Sequence, residues 1–377
     1  MPSPIDPLEL ASELIRCPSI TPARGEVFDI LDRALSTLGF TVHRWTMGEP
    51  PDGPTENMVA LREGNGGPHF GFAGHLDVVP PGDGWTHDPF GAQVADGILV
   101  GRGANDMKSA IAAYVAALSR IDVPQGTLSL LITGDEEGYS TYGTPRIIDW
   151  LNERKIRPDM ILIGEPTSVD RLGDTVKIGR RGSVNMWIEV PGVQGHVAYP
   201  FRATNPIPAL GRVITALDAL HLDDGSDQFP PSNLEFTAVS TPTDASNVIP
   251  GCATAQLNIR FNNLQRGSDL VKRVEEIVER EAPGSKVKAR ISGEAFLTPP
   301  GPLFDVVVDA IEAETGAQPE LSTSGGTSDG RFLIQLCPVV DFGLPNATMH
   351  KIGECAAVAD IQALSRIYER IVRKVLS

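Results

Sequence analysis

At 377 residues the chain is longer than one hydrophobic core comfortably serves, so two domains are expected. Apolar residues make up 41% and charged residues 21%, an ordinary globular composition, and no stretch approaches the length of a membrane span. The formal charge of −16, from 48 acidic against 32 basic residues, argues against a nucleic-acid partner, which needs a basic footprint.

The opening MPSPIDPLEL lacks a basic n-region and an apolar h-region. No secretory leader is expected, and the cytoplasm follows as the default location. Asp6, Pro7 and Glu9 have the pattern of an N-cap, an N1 proline and a capping-box partner, predicting a helix to about Arg16. Val27, Ile30, Leu31, Ala34 and Leu38 repeat at helical spacing, with Gly39 as the stop. Strands are predicted at 41–46, 57–63 and 69–74, and a buried alanine-rich helix at 107–121. A central strand at 127–134, a helix opened by Thr144 and Pro145, and a strand at 159–164 follow.

Near residue 180 the texture changes. Alternating strands in VNMWIEV, LEFTAVS and ATAQLNIRF, a helix after Asn205 and the amphipathic LVKRVEEIVERE predict a compact α+β insert. After about residue 293 the α/β texture returns, with a core strand in PVVDFG and a closing helix in ADIQALSRIYERIVRKVL. The expected architecture is an α/β domain with a mixed sheet flanked by helices, over 1–179 and 294–377, interrupted by an α+β insert at 180–293. Cys17, Cys252, Cys337 and Cys355 are scattered without a CxxC pair, which predicts free thiols.

Acids and histidines collect at the ends of the predicted core strands. AGHLDVVP places His75, GRGANDMKSA Asp106, ITGDEEGYS Glu136 and Glu137, LIGEPTS Glu165, and NATMHKIGE His350. Such strand-end loops converge at one edge of an α/β sheet. Two imidazoles and three carboxylates are too many for one catalytic zinc, which usually takes three protein ligands. Two ions roughly 3.5–4 Å apart, sharing a carboxylate, fit better. Asp106 is the candidate bridge, with Glu137 and His350 on one ion and His75 and Glu165 on the other. Asp77 is expected to orient His75 by accepting its second N–H. Glu136, left without an ion, suits a general base toward metal-activated water. Each motif alone also fits a surface histidine, a solvated acid pair or a turn; their joint placement points to metal.

GHLDVVP, GRGANDMK, TGDEEG, GEPT and the late histidine together resemble the M20 dinuclear zinc metallopeptidases over nearly the whole chain. Within that family, KIGRRGSVN, GVQGHVAYP, SGGTSDGRF and NATMHKI are similar to the branch that hydrolyses N-succinyl-LL-2,6-diaminopimelate to succinate and LL-diaminopimelate. The sequence departs from the usual motifs at Leu76, Asn105, Ser109 and Gly134, none of them a proposed ligand. The resemblance implies two zinc ions, with cobalt able to substitute, and a homodimer formed through the insert, which acts as dimerisation and lid domain. It also implies a cis peptide after Asp106, and that His196 stabilises the oxyanion in the neighbouring subunit, with Asn247 as a companion.

A substrate with three carboxylates requires local cations on this acidic protein. Lys177, Arg180, Arg181, Arg260 and Arg331 are the candidates, led by Arg180 and Arg260. Thr327, Ser328 and Asn346 could add donors, and Tyr199 and Gly326 lie in the same family-like stretches. Arg181 and Arg331 could instead pair with acids. The competing readings are an N-acetylornithine deacetylase, a dipeptidase or carboxypeptidase, and a metal-binding protein without catalysis.

Overall fold

The computed structural model describes residues 4–122 and 125–377, so the first three residues of the MPSPIDPLEL segment lie outside the described residues. The chain divides into two compact units. The first runs to Ile178 and resumes over Thr298–Ser322 and Ser328–Ser377; the second comprises Gly179–Leu297 and Thr323–Thr327. This division differs from the sequence-drawn limits of 180 and 293 chiefly in assigning Thr323–Thr327 to the second unit. That stretch is tied there by the Arg180 guanidinium, which donates to the Gly326 carbonyl at 3.1 Å.

The first unit is built on an eight-stranded mixed sheet. Its strands are β1 (Thr41–Met47), β2 (Thr55–Glu63), β3 (His69–His75), β4 (Thr127–Thr133), β5 (Met160–Ile163), β6 (Thr175–Lys177), β7 (Glu320–Ser322) and β8 (Val339–Asp341). The spatial order is β1-β2-β4-β3-β5-β8-β6-β7. The four central neighbours β4, β3, β5 and β8 are mutually parallel. Their near-continuous apolar runs are what two covered faces require. Phe70, Phe72, Leu128, Leu130 and Ile132 join one core with helices Pro7–Ile15, Lys108–Leu118 and Val358–Val375. Helix Thr144–Glu153 packs on β2 and β4.

In this unit the strand predictions hold within two residues, while the helix predicted over 107–121 ends three residues short, at Leu118. Asp6 caps its helix by accepting the Leu8 N–H at 2.8 Å, with Pro7 at the first helical position. Every residue of Lys108–Leu118 is buried, as its alanine-rich composition implies. Three short strands that periodicity does not predict, Gln93–Ala95, Ile98–Val100 and Cys355–Ala357, form a small separate sheet.

The second unit is a four-stranded antiparallel sheet, ordered Asn233–Ser240, Cys252–Phe261, Gly182–Pro191 and Lys286–Gly293. Alternate residues Val184, Met186, Ile188 and Val190 meet Leu257, Ile259, Leu210, Val213, Leu270 and Val274 in its own core. One covered face explains the period-two alternation, and the helices Ile207–Asp218 and Gly267–Glu281 supply the cover.

Candidate metal centre

The parallel direction of β4, β3, β5 and β8 brings their C-terminal ends to one edge of the sheet. His75 is the last residue of β3, Glu136 and Glu137 follow β4, Glu165 follows β5, and His350 lies in the loop after β8. Asp106 precedes the buried helix Lys108–Leu118 and is joined to Met107 by a cis peptide, as the family resemblance implied. Two groups of ligand-type atoms result, each with members within 4.8 Å of one another: His75, Asp106 and Glu165, and Asp106, Glu137 and His350. Asp106 belongs to both, so the structure places all five candidate ligands in the pairing drawn from the sequence.

The distances are those of side chains already turned toward common centres. His75 Nε2 lies 3.1 Å from Asp106 Oδ1 and 3.8 Å from Glu165 Oε1. His350 Nε2 lies 2.8 Å from Glu137 Oε1 and 3.3 Å from Asp106 Oδ2. Burial would lower the His75 pKa, but Asp106, Asp77 and Glu165 raise it well above its usual value. Hydrogen bonds to Asp106 and Glu137 raise His350 to about 10 despite burial. Glu137 is pushed up to about 7, by burial first and then by the charges of Asp106 and Glu136. Asp106, by contrast, is held well below the usual carboxylate range, against the effect of burial, by the two histidines. Both imidazoles thus keep their protons against a buried set of carboxylates, a charge role that a divalent cation in each group would take over. The oxygen and imidazole donors suit zinc and similar divalent ions.

Asp77 acts differently from the sequence expectation. The nearest partner of His75 Nδ1 is the Asp77 backbone carbonyl at 2.9 Å, with the Asp77 carboxylate at 3.7 Å. That carboxylate instead accepts the backbone N–H of Glu136 at 3.2 Å and of Glu137 at 3.0 Å. Asp77 therefore fixes both the histidine and the loop that carries the two glutamates. Glu136 makes no part of either ligand group, and its Oε1 lies 3.5 Å from Arg331 Nη1.

The remaining candidates are distributed between the units. In the first unit, Lys177 ends β6 and donates to Ser322 Oγ at 3.1 Å, and the Asn346 N–H donates to the Ser168 carbonyl at 2.8 Å. Ser328 donates to Asp341 at 2.8 Å. In the second unit, His196 and Tyr199 have ring centroids 5.8 Å apart, and the Asn247 carbonyl accepts from Val197 at 3.1 Å, so these three form one exposed cluster. The buried Arg180 donates to the Gly326 carbonyl, and the next residue, Thr327, has its Oγ1 buried without a hydrogen-bond partner. Arg260 lies in strand Cys252–Phe261 opposite Ser183 and Asn233, and Arg181 donates to Asn233 at 2.9 Å. Two buried residues that sequence reasoning missed are Arg102 and Glu354. Both stood in stretches already singled out, but their partners are largely backbone groups, which leave no signature in a sequence.

The profile of peptidase family M20/M25/M40 matches residues 71–374. A Rhizorhabdus wittichii protein named succinyl-diaminopimelate desuccinylase is 60% identical over 373 residues, covering 99% of each chain. A Zymomonas mobilis protein of the same name is 59% identical over 371 residues, covering 98% of each. The crystal structure of an M20 family metallo-carboxypeptidase from Sulfolobus solfataricus superposes with a TM-score of 0.80 at 17% identity, covering 98% of this chain and 99% of that one, a likeness of fold. With its fold, its paired ligand groups and its relatives in agreement, the chain belongs to peptidase family M20/M25/M40.

Proposed function

We propose that this protein hydrolyses N-succinyl-LL-2,6-diaminopimelate to succinate and LL-2,6-diaminopimelate, a step of lysine biosynthesis in the cytoplasm. The observation that carries the reading is the pair of ligand groups sharing Asp106, with Glu136 outside both but next in the chain to Glu137, whose pKa its charge raises. Near-full-length relatives of that name support the substrate. His75, Asp106 and Glu165 would hold one ion and Asp106, Glu137 and His350 the other, zinc in both with cobalt as a substitute. When bound, the ions supply Lewis acidity to water and to the amide carbonyl.

Glu136 takes a proton from the attacking water and returns it to the leaving nitrogen as the C–N bond breaks. The water oxygen stays on the succinyl carbon, and the amine leaves with the proton. Asp77 holds the Glu136–Glu137 loop through its two amides. Lys177, Arg180 and Arg260 neutralise the substrate carboxylates, with Tyr199, Gly326, Thr327 and Asn346 as further contacts. His196 and Asn247 donate to the oxyanion. The protein works as a homodimer formed through the inserted unit.

The test is hydrolysis by zinc-loaded protein of N-succinyl-LL-diaminopimelate beside N-acetylornithine, with Glu136→Ala as control. Cleavage of the succinyl substrate alone, lost in the variant, is expected. Cleavage of acetylornithine instead would overturn the substrate reading and leave the metal reading standing.

A further inference from the structure

Arg102 and Glu354 form an ion pair in which Arg102 is 2% and Glu354 0% exposed. Arg102 Nη1 donates to Glu354 Oε2 at 2.6 Å. The other carboxylate oxygen accepts three backbone N–H groups of a single loop: Gly103 at 3.1 Å, Asn105 at 2.8 Å and Asp106 at 3.0 Å. That loop aims the Asp106 side chain, the one member common to both ligand groups. The arginine reaches two further segments. Its terminal nitrogens donate to the carbonyls of His350 at 3.4 Å and Lys351 at 3.3 Å, and to that of Pro81 at 3.3 Å, downstream of His75 and Asp77.

A buried ion pair needs further hydrogen-bond partners wherever it sits, and what is informative is which segments supply them. This one is bonded through backbone to three of the loops that present candidate ligands. A buried carboxylate is costly unless such donors surround it, so replacing the pair by apolar residues is often tolerated by a fold. The extra amide bonds are what tie it to the site.

We propose that the Arg102–Glu354 pair is a positioning device for the metal centre. It fixes Asp106 relative to His350 and thereby sets the affinity of the ion held by Asp106, Glu137 and His350. The ion held by His75, Asp106 and Glu165 depends on it less, because His75 terminates β3 and Glu165 lies two residues past the end of β5, both strands anchored in the sheet. The inference rests on the two-metal reading above.

The experiment titrates Co²⁺ into metal-free protein, following heat and visible absorption, for wild type, Glu354→Gln and the double variant Arg102→Met/Glu354→Leu. Thermal melting of each metal-free protein is measured in parallel. The double variant removes both buried charges together, so it keeps the test open where the single change prevents folding. Wild type is expected to bind two ions. In the variants the ion held by His75, Asp106 and Glu165 should bind within about threefold of wild type and the ion held by Asp106, Glu137 and His350 at least about tenfold more weakly, with an altered cobalt spectrum. Wild-type affinity for both ions in a folded variant would overturn the proposal. Equal weakening of both ions in step with a lowered melting temperature would also overturn it, in favour of a purely structural pair. A wild type that takes up no divalent ion would overturn the two-metal reading, and this inference with it.

Discussion

Arg331 Nη1 lies 3.5 Å from Glu136 Oε1, and the Arg331 side chain is 6% exposed. The same guanidinium donates to Ser140 Oγ at 3.0 Å and to the Ser328 carbonyl at 3.3 Å. These bonds direct Arg331 inward, toward the candidate base, and leave it poorly placed as a surface receptor for a substrate carboxylate. A side chain that orients a base acts on the chemical step more than on substrate affinity. Arg331→Met is therefore expected to lower kcat by about tenfold to a hundredfold while KM changes less than about threefold. Steady-state kinetics on the succinyl substrate check this. A rise in KM with kcat unchanged would assign Arg331 to substrate binding.

Metal uptake should release a proton. In the metal-free protein Asp106 and Glu137 raise His350 to about 10, so at pH 7 it carries its proton. A metal ligand must be neutral imidazole, and binding therefore displaces that proton. The sign follows directly: apparent affinity rises with pH, up to the His350 value. Glu137, at about 7, is about half protonated at pH 7 and gives up its proton as well, so calorimetry at pH 7 in buffers of different ionisation enthalpy should report release of between about one and two protons on filling this group. Buffer-independent heats would contradict the arrangement.

Gly343, two residues past β8, lies against the backbone of the candidate ligand Glu165. A Cβ there would lie 2.5 Å from the Glu165 carbonyl oxygen and 2.7 Å from that of Gly164. Both are backbone atoms that cannot swing aside. Gly343→Ala is expected to cost about 1–3 kcal/mol of stability by forcing β8 and β5 apart. It should also weaken the ion held by His75, Asp106 and Glu165. Chemical denaturation and metal titration test the two halves separately, and an unchanged denaturation midpoint would show that the strands yield freely.

Asp223, in the second unit, provides a test independent of metal. Burial raises its pKa, but hydrogen bonds from Ser232, the Gly225 amide and Asn262 outweigh this and hold it at about 2. A depressed carboxylate contributes stability above its unfolded value, and the contribution is lost as pH falls through the folded value. The difference in melting temperature between wild type and Asp223→Asn should be constant above about pH 5 and shrink between about pH 4 and pH 2. A gap that does not narrow in acid would mean the interactions do not favour the charged form.

Much of this was legible in the sequence because it rests on side-chain periodicity. The uninterrupted apolar run ending at His75 identified a covered strand, and the alternation of VNMWIEV identified a half-covered one. The five candidate ligands could be read because strand-end loops in a parallel sheet share an edge, whatever their separation along the chain. What escaped depends on backbone groups. Asp77 was matched to the imidazole because both are side chains, whereas its carboxylate meets the amides of Glu136 and Glu137. Glu354 was passed over for the same reason, since three of its partners are amides of the Asp106 loop. The direction of an N–H is a property of the folded loop and is absent from the order of residues.

The chain leaves and re-enters the first unit at adjoining points: the Thr298 N–H donates to the Ile178 carbonyl at 2.8 Å, and the Ile178 N–H to the Ser322 carbonyl at 3.0 Å. The second unit is thus spliced into a seam, and the two ligand groups fall differently about it. His75 and Glu165 precede the splice at the ends of the paired strands β3 and β5, and Asp106 precedes it in the loop before helix Lys108–Leu118. The other group is closed only by His350, beyond it. During synthesis from the N-terminus, one set of ligands leaves the ribosome complete before the inserted unit begins, and the other is finished only after that unit has emerged. The order of translation thereby separates in time two ligand sets that the folded protein joins through one shared aspartate.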